Sequence, residues 1–142
     1  MFILQESPID ITKAKTSFSD PLNGAFVCFE GLVRADKNNN KIVTALEYIA
    51  DIGSCNIEGT AIINETLTQF PISNALCIQR VGHVCTGEAG IWIGTWSSHR
   101  DAAYRANRYV IEEIKKRLHI WKKELYTDGT HCWIHGKETI NL

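Results

Sequence analysis

Residues 97–133 read SSHRDAAYRANRYVIEEIKKRLHIWKKELYTDGTHCW, and the reading of this stretch decides how the chain is put together. It opens on a polar turn with His99 and Arg100. Ala103, Ala106, Val110 and Ile114 then recur at helical spacing and define a face that packs on a sheet. Most charges on this helix have a local partner: Arg108 with Glu112, Glu112 with Lys116, and Glu113 with Arg117 stand four apart. Lys115 has Ile111 in that position and lies on the flank of the apolar face, where a lysine is partly desolvated and chemically usable. By helical rotation Arg100 projects about 60° from Lys115. Ile120-Trp121-Lys122-Lys123-Glu124 reads as a short loop that aims lysines into a pocket walled by the indole. Together these features predict that Arg100, Lys115 and Lys122 converge on one anion-binding pocket.

Upstream, Asp10 is placed to cap a helix whose inner side is Ile11, Ala14 and Phe18. Gly24–Val33 reads as a buried strand ending at Arg34, and Ile42–Ala50 as a strand that pairs antiparallel with it. Ser54 begins a helix that Pro71 stops near Phe70, with Ile63, Leu67 and Phe70 as its apolar stripe. Ala75–Val81 and Ala89–Trp96 are further strands, separated by turns at Gly82 and Gly87-Glu88. The last strand spans about His131–His135. Strands in adjacent pairs between helices predict an α+β domain over residues 1–142, with a mainly antiparallel sheet and helices on one side.

Composition narrows the function. The net charge of -1 supplies no global field for nucleic acid or membrane, so an anion site must be a local cluster. Five scattered cysteines, with no CxxC pair, argue against a disulfide framework and for a reducing compartment. The start MFILQESPIDIT does not read as a signal peptide, and no apolar run is long enough to span a bilayer, so the expected location is the cytoplasm. His131 and His135 alternate away from Cys132 on a strand and cannot close with it on one metal. No metal or cofactor is expected.

Taken in order, Gly24-Ala25-Phe26-Val27-x-Phe29-Glu30-Gly31-x-Val33-Arg34, Ala45-Leu46-Glu47-Tyr48, Arg80-x-Gly82, Gly87-Glu88, Ser98-His99-Arg100-x-x-Ala103-Tyr104, Ile114-Lys115 and Trp121-Lys122-Lys123-Glu124 resemble the catalytic (large) subunit of molybdopterin synthase. The resemblance implies an α+β fold of the α/β-hammerhead type. It also implies transfer of sulfur to cyclic pyranopterin monophosphate (precursor Z) from the C-terminal Gly-Gly thiocarboxylate of a small ubiquitin-like partner, in a heterotetramer built on a central homodimer. The residues it marks for substrate are Leu32, Val33, Arg34, His99, Arg100, Lys115, Lys122, Lys123 and Glu124, with Lys115 and Lys122 catalytic. The chain departs from the family pattern at Ala35-Asp36-Lys37, Ile49, Gln79 and His119. Two other readings stay open: a non-catalytic module that binds a phosphorylated ligand or a partner tail with the same basic pocket, and a thiol-dependent transferase acting through Cys85 or Cys132.

Overall fold

The structure is a computed structural model that describes residues 1–38 and 40–134. Nine strands and three helices follow in the order β1 (Phe2–Gln5), α1 (Ile11–Lys15), β2 (Ala25–Leu32), β3 (Lys37–Asn38), β4 (Lys41–Ala50), α2 (Ile52–Gln69), β5 (Asn74–Arg80), β6 (Gly82–Cys85), β7 (Ala89–Ser97), α3 (Arg100–Arg117), β8 (Ile120–Tyr126) and β9 (His131–Ile134). The α+β class and the dominance of antiparallel pairing are as expected. The strands, however, form two sheets. The first runs β1-β5-β7-β2, with only β1 and β5 parallel. In the second, β4 is central: β8 and then β9 lie along one of its edges, and β3 and β6 pair with it along the other.

This topology corrects the expected pairing of Gly24–Val33 with Ile42–Ala50. β2 pairs instead with β7, from Ala25 opposite Ser97 to Leu32 opposite Ala89. β2 is an edge strand, so its apolar residues are not the buried set that composition suggests; Phe29 is 37% and Leu32 55% exposed. β7 is central and buried on both faces. Ile91 and Ile93 face α2 and α3 in a core with Ile62, Ile63, Val110 and Ile114. Trp92 and Trp96 face the other way, toward Ala14, Leu76 and Ile78. The first helix therefore lies on the sheet face opposite α2 and α3, not on the same side. It is also shorter than expected: Phe18 lies beyond it and meets Trp96 edge-on, with ring centroids 5.0 Å apart.

The caps are carried by carboxylates. Asp10 accepts from the Lys13 amide at 3.0 Å, as read from sequence. For α2 the cap is Asp51, which accepts from the Ser54 amide at 3.1 Å; Ser54 itself lies in the first turn. The inner face of α2 is Cys55, Gly59, Ile62, Ile63 and Thr66, whereas Leu67 is 39% exposed.

The packing of α3 onto its sheet follows the expected face, since Ala103, Ala106, Val110 and Ile114 are all buried. Two polar contacts fix its height on the sheet. Thr95 donates to the Ala103 carbonyl at 2.8 Å. The buried Asn107 amide donates to the carbonyls of Val27 and Ile93, each at 3.1 Å, and so ties the helix to β2 and β7 together. A buried amide satisfied in this way contributes net stability and sets the register of the contact. Asn107→Ala is expected to lower unfolding stability by about 2 kcal/mol, measured as a fall in urea midpoint at unchanged slope.

Candidate functional site

Between the two sheets lies a cavity of about 340 Å³. Most of its wall comes from three places, with Gln79 of β5 and Ile91 of β7 added from the first sheet. The end of β2 and the residues after it supply Phe29 to Arg34 and Asp36; the last turns of α3 supply Ile111, Ile114 and Lys115; and the inner face of the second sheet supplies Leu46, Tyr48, Ile120, Lys122 and Glu124. More of the wall is apolar than polar, so the charges on it are displayed in a medium that solvates them poorly.

Strand alternation decides which charges point inward. Trp121-Lys122-Lys123-Glu124 is not a loop: it lies within β8, where Tyr48 faces Lys122 and Glu47 faces Lys123 across the ladder. Lys122 and Glu124 therefore project into the cavity, and Trp121 and Lys123 to the opposite face of the sheet. Trp121 is 50% exposed there and forms no wall of the cavity. Lys123 pairs with Glu47 at 3.1 Å and lies 5.4 Å from the centre of the Trp133 ring. Lys123 thus leaves the set that meets in the cavity. Glu124 stays in it and accepts from the Tyr126 hydroxyl at 3.3 Å. On β9, His131 and Trp133 share the outer face, opposite Cys132, as alternation predicts; His135 lies outside the described residues.

Lys115 and Lys122 meet as the sequence suggested. They approach from different elements, α3 and β8, line the same cavity, and each amine shifts the proton affinity of the other. Burial lowers the Lys115 ammonium below the ordinary lysine range, and its hydrogen bond with Lys122 partly offsets this. Lys122 is brought down to about 8 by burial first, and then by the charge and hydrogen bond of Lys115. Two amines held together in an apolar pocket do not both keep their protons easily near neutrality, so the pair can give up or take up a proton where an ordinary lysine cannot.

Arg34 stands at the mouth and is only loosely held, 3.1 Å from Asp36 with more than half of its side chain exposed. Val33 is buried behind it, and Leu32 forms part of the rim. The placement of this wall depends on a residue outside the expected site. Val33 donates to the Glu88 carbonyl at 3.0 Å and accepts from the Gly87 amide at 2.8 Å. The Glu88 carboxylate is held at 2.8 Å by the buried Arg80. Arg80 also donates to the carbonyls of Glu6 at 3.0 Å and His83 at 3.1 Å, which fastens the rim to both sheets. Gln79, one of the departures noted from sequence, lines the cavity and donates to the carbonyls of Arg80 and Gly90.

His99 and Arg100 do not join this cavity within one chain. His99 stands just before α3 without a side-chain capping bond and Arg100 is its first residue, whereas Lys115 lies in its last turn. The rotation that relates Arg100 to Lys115 is favourable, but fifteen residues of rise separate them by roughly 22 Å along the axis. Both His99 and Arg100 are exposed. The expected convergence of Arg100, Lys115 and Lys122 thus reduces, in a single chain, to the two lysines with Arg34 at the rim.

Cys28, Cys55, Cys77 and Cys85 are poorly disposed to act as nucleophiles. Burial pushes Cys28, Cys55 and Cys77 up, and Cys85 is raised chiefly by its hydrogen bond with Glu88. Tyr48, singled out from sequence only as part of a motif, lies against the lysine pair, with its ring centre 5.6 Å from Lys122 Nζ.

Two packed sheets around a cavity that holds two desolvated lysines define an α+β protein with a preformed pocket between its sheets. The family model described as MoaE protein matches residues 4–117. A molybdopterin synthase catalytic subunit from Synechococcus elongatus is 37% identical over 134 residues, covering 94% of this chain and 81% of the relative. The crystal structure of molybdopterin synthase from Staphylococcus aureus superposes with a TM-score of 0.88 at 30% identity, covering 95% of this chain and 97% of that one. A protein–protein complex of subunits 1 and 2 of the molybdopterin-converting factor from Helicobacter pylori contains a chain of the same fold, with a TM-score of 0.76 at 18% identity over 96% of this chain and 90% of that one. The chain belongs to the MoaE family, that of the molybdopterin synthase catalytic subunits.

A buried lysine whose charged form is disfavoured costs stability. For Lys122 the cost is present in full below about pH 8 and fades as pH rises toward the ordinary value of 10.5. Lys122→Met removes the charge and keeps the bulk. The variant is expected to be more stable than the parent by ~2 kcal/mol at pH 7, with the difference shrinking in urea titrations repeated between pH 8 and 10.5.

Proposed function

We propose that this protein is the catalytic subunit of a molybdopterin synthase, moving sulfur from a thiocarboxylated small partner to cyclic pyranopterin monophosphate and so building the molybdopterin dithiolene. The observation that carries the reading is the contact between Lys115 and Lys122 inside the cavity. The chemistry asks for a cationic, water-poor site. The thiocarboxylate sulfur forms a bond to a pterin side-chain carbon as that carbon's oxygen substituent leaves, water then hydrolyses the resulting thioester and releases the partner's carboxylate, and protons move at the pterin carbons. Lys115 is assigned as principal acid/base and charge stabiliser, and Lys122 as its partner that holds the acyl or substrate oxygen. Arg34 at the rim suits a phosphate, which a guanidinium binds through two parallel hydrogen bonds. Leu32 and Val33 shape the entry, and Glu124 faces the lysines from β8.

The partner is a small sulfur-carrier subunit whose Gly-Gly end enters the cavity, the whole forming a heterotetramer on a central homodimer in the cytoplasm. The complex of subunits 1 and 2 of the Helicobacter pylori molybdopterin-converting factor supports a second, different subunit as the partner. The homodimer also gives a role to the distant pair. A site about 22 Å from His99 and Arg100 in its own chain is completed if a two-fold axis brings these residues from the second subunit, where they add cations for the substrate phosphate. Lys123 is assigned to the outer face, where it serves packing or partner contact and does not touch substrate.

The direct test mixes the protein with thiocarboxylated small subunit and cyclic pyranopterin monophosphate and assays molybdopterin. Turnover is expected, and Lys115→Ala should reduce it at least ~100-fold. Binding without turnover by well-folded wild-type protein would favour the non-catalytic module instead. Cys85→Ser and Cys132→Ser are expected to stay within about twofold of wild type; loss of turnover in either would favour the thiol-dependent transferase.

The contribution of the second subunit has its own assay. Lys115→Ala and Arg100→Ala proteins, each impaired alone, are mixed and allowed to exchange subunits. Half of the dimers become mixed, each with one intact site, so the mixture should recover about a quarter of wild-type turnover. No recovery after proven exchange would mean that Arg100 does not act across the dimer.

A further inference from the structure

Tyr48 has a placement that the assignment of Lys115 and Lys122 leaves unused. It sits on β4 with Lys122 of β8 directly opposite on one side and Gly82 of β6 on the other. Only 8% of it is exposed, and it lines the cavity. Its hydroxyl reaches across to the first sheet, into the space left by the missing side chain of Gly90. A Cβ at Gly90 would stand 2.6 Å from that oxygen and 3.0 Å from the ring carbon that bears it. The ring is thus located from two directions, by the β4–β8 ladder and by the slot in β7. Its centre lies 5.6 Å from Lys122 Nζ, within the range in which an aromatic ring attracts a cation.

We propose that Tyr48 is a positioning residue for the lysine pair: its ring is a seat that holds the Lys122 ammonium beside Lys115 and keeps that amine charged within the cavity. The charged and titratable groups around Lys122 are Lys115 on α3, Glu124 on β8, Glu30 on β2, and Arg34 and Asp36 just after it. Lys115 and burial both oppose the charge on Lys122. The π face opposes them without adding a further anion to the carboxylates of Glu124, Glu30 and Asp36. Burial pushes the Tyr48 phenol up to about 12, so the ring stays neutral wherever the lysines titrate. The slot also gives a reason for glycine at position 90, which has an ordinary strand conformation and no need of backbone freedom.

The inference rests on Lys122 belonging to the reacting centre, and its test is read on the amine itself so that the two can fail separately. Lysine labelled at Cε and Nζ is titrated by NMR in the full-length protein. Tyr48→Phe keeps the ring and should leave the Lys122 midpoint in place. Tyr48→Leu removes it and should lower the midpoint by about one pH unit. The acid limb of the kcat profile in the sulfur-transfer assay should move down with it.

A second variant guards against loss of folding in Tyr48→Leu. Gly90→Ala crowds the hydroxyl and should displace the ring, lowering the Lys122 midpoint. Adding Tyr48→Phe to Gly90→Ala removes the crowded oxygen and should restore part of the shift. A Lys122 midpoint that is unmoved or raised by Tyr48→Leu, or equal shifts in Tyr48→Phe and Tyr48→Leu, would overturn the proposal. So would a Gly90→Ala midpoint equal to that of wild type. If the midpoints move as expected but no molybdopterin forms with wild-type protein, the seat stands and the assignment of the reaction falls.

Discussion

The antiparallel pairing of β4 with β8 is the constraint from which the rest of the site follows. It sets Tyr48 opposite Lys122 and Glu47 opposite Lys123. Because side chains alternate across a strand, this one register sends Lys122 inward and its neighbour Lys123 outward. A slip of one residue would exchange them, placing Lys123 beside Lys115 and Lys122 in water. Val43, Leu46, Tyr48, Tyr126 and Ile134 on the inner face make such a slip expensive, because it would expose the core of the second sheet. The hydrophobic pattern thus chooses which lysine faces the cavity.

The second determinant is the face of α3. Val110 and Ile114 are buried against the first sheet, and Lys115 follows Ile114 by one position, so its stem leaves the core and its amine enters the cavity. The site is assembled where a helix packed on one sheet meets a strand of the other. Neither sheet alone forms it. Two desolvated amines are the result, and their mutual contact lowers the cost of removing a proton from one of them. Chemical readiness and local instability have the same origin here, since the burial that depresses Lys122 also opposes folding in its charged form.

Much of this was legible in the residues. The apolar stripe of α3 was readable because helical periodicity is a local property, and Lys115 stood out because it lacked the four-residue partner that its neighbours have. The sequence was misleading where the answer depends on long-range pairing. Gly24–Val33 is apolar enough for a central strand, yet it lies at an edge, because β7 and not β4 is its neighbour. Trp121–Glu124 looked like a loop because two adjacent lysines are unusual in a strand; the inner face of the sheet accepts one and the outer face the other. The Arg100–Lys115 pairing failed on translation: angular agreement on a helix says nothing about axial distance. Tyr48 and Arg80 carried motif information, but their roles appear only when sheets far apart in sequence are brought together.

Arg80 gives the two-sheet design a mechanical character. One guanidinium, nearly sealed from solvent, grips the carboxylate of Glu88 and the carbonyls of Glu6 and His83. Through Glu88 it reaches the backbone of Val33, and through His83 it reaches β6, which lies along β4. The rim bearing Arg34 and the strand bearing Tyr48 are therefore rivets on a common plate. A tug on the cavity mouth by an incoming ligand is transmitted through that plate to the floor, so the pocket yields as one piece.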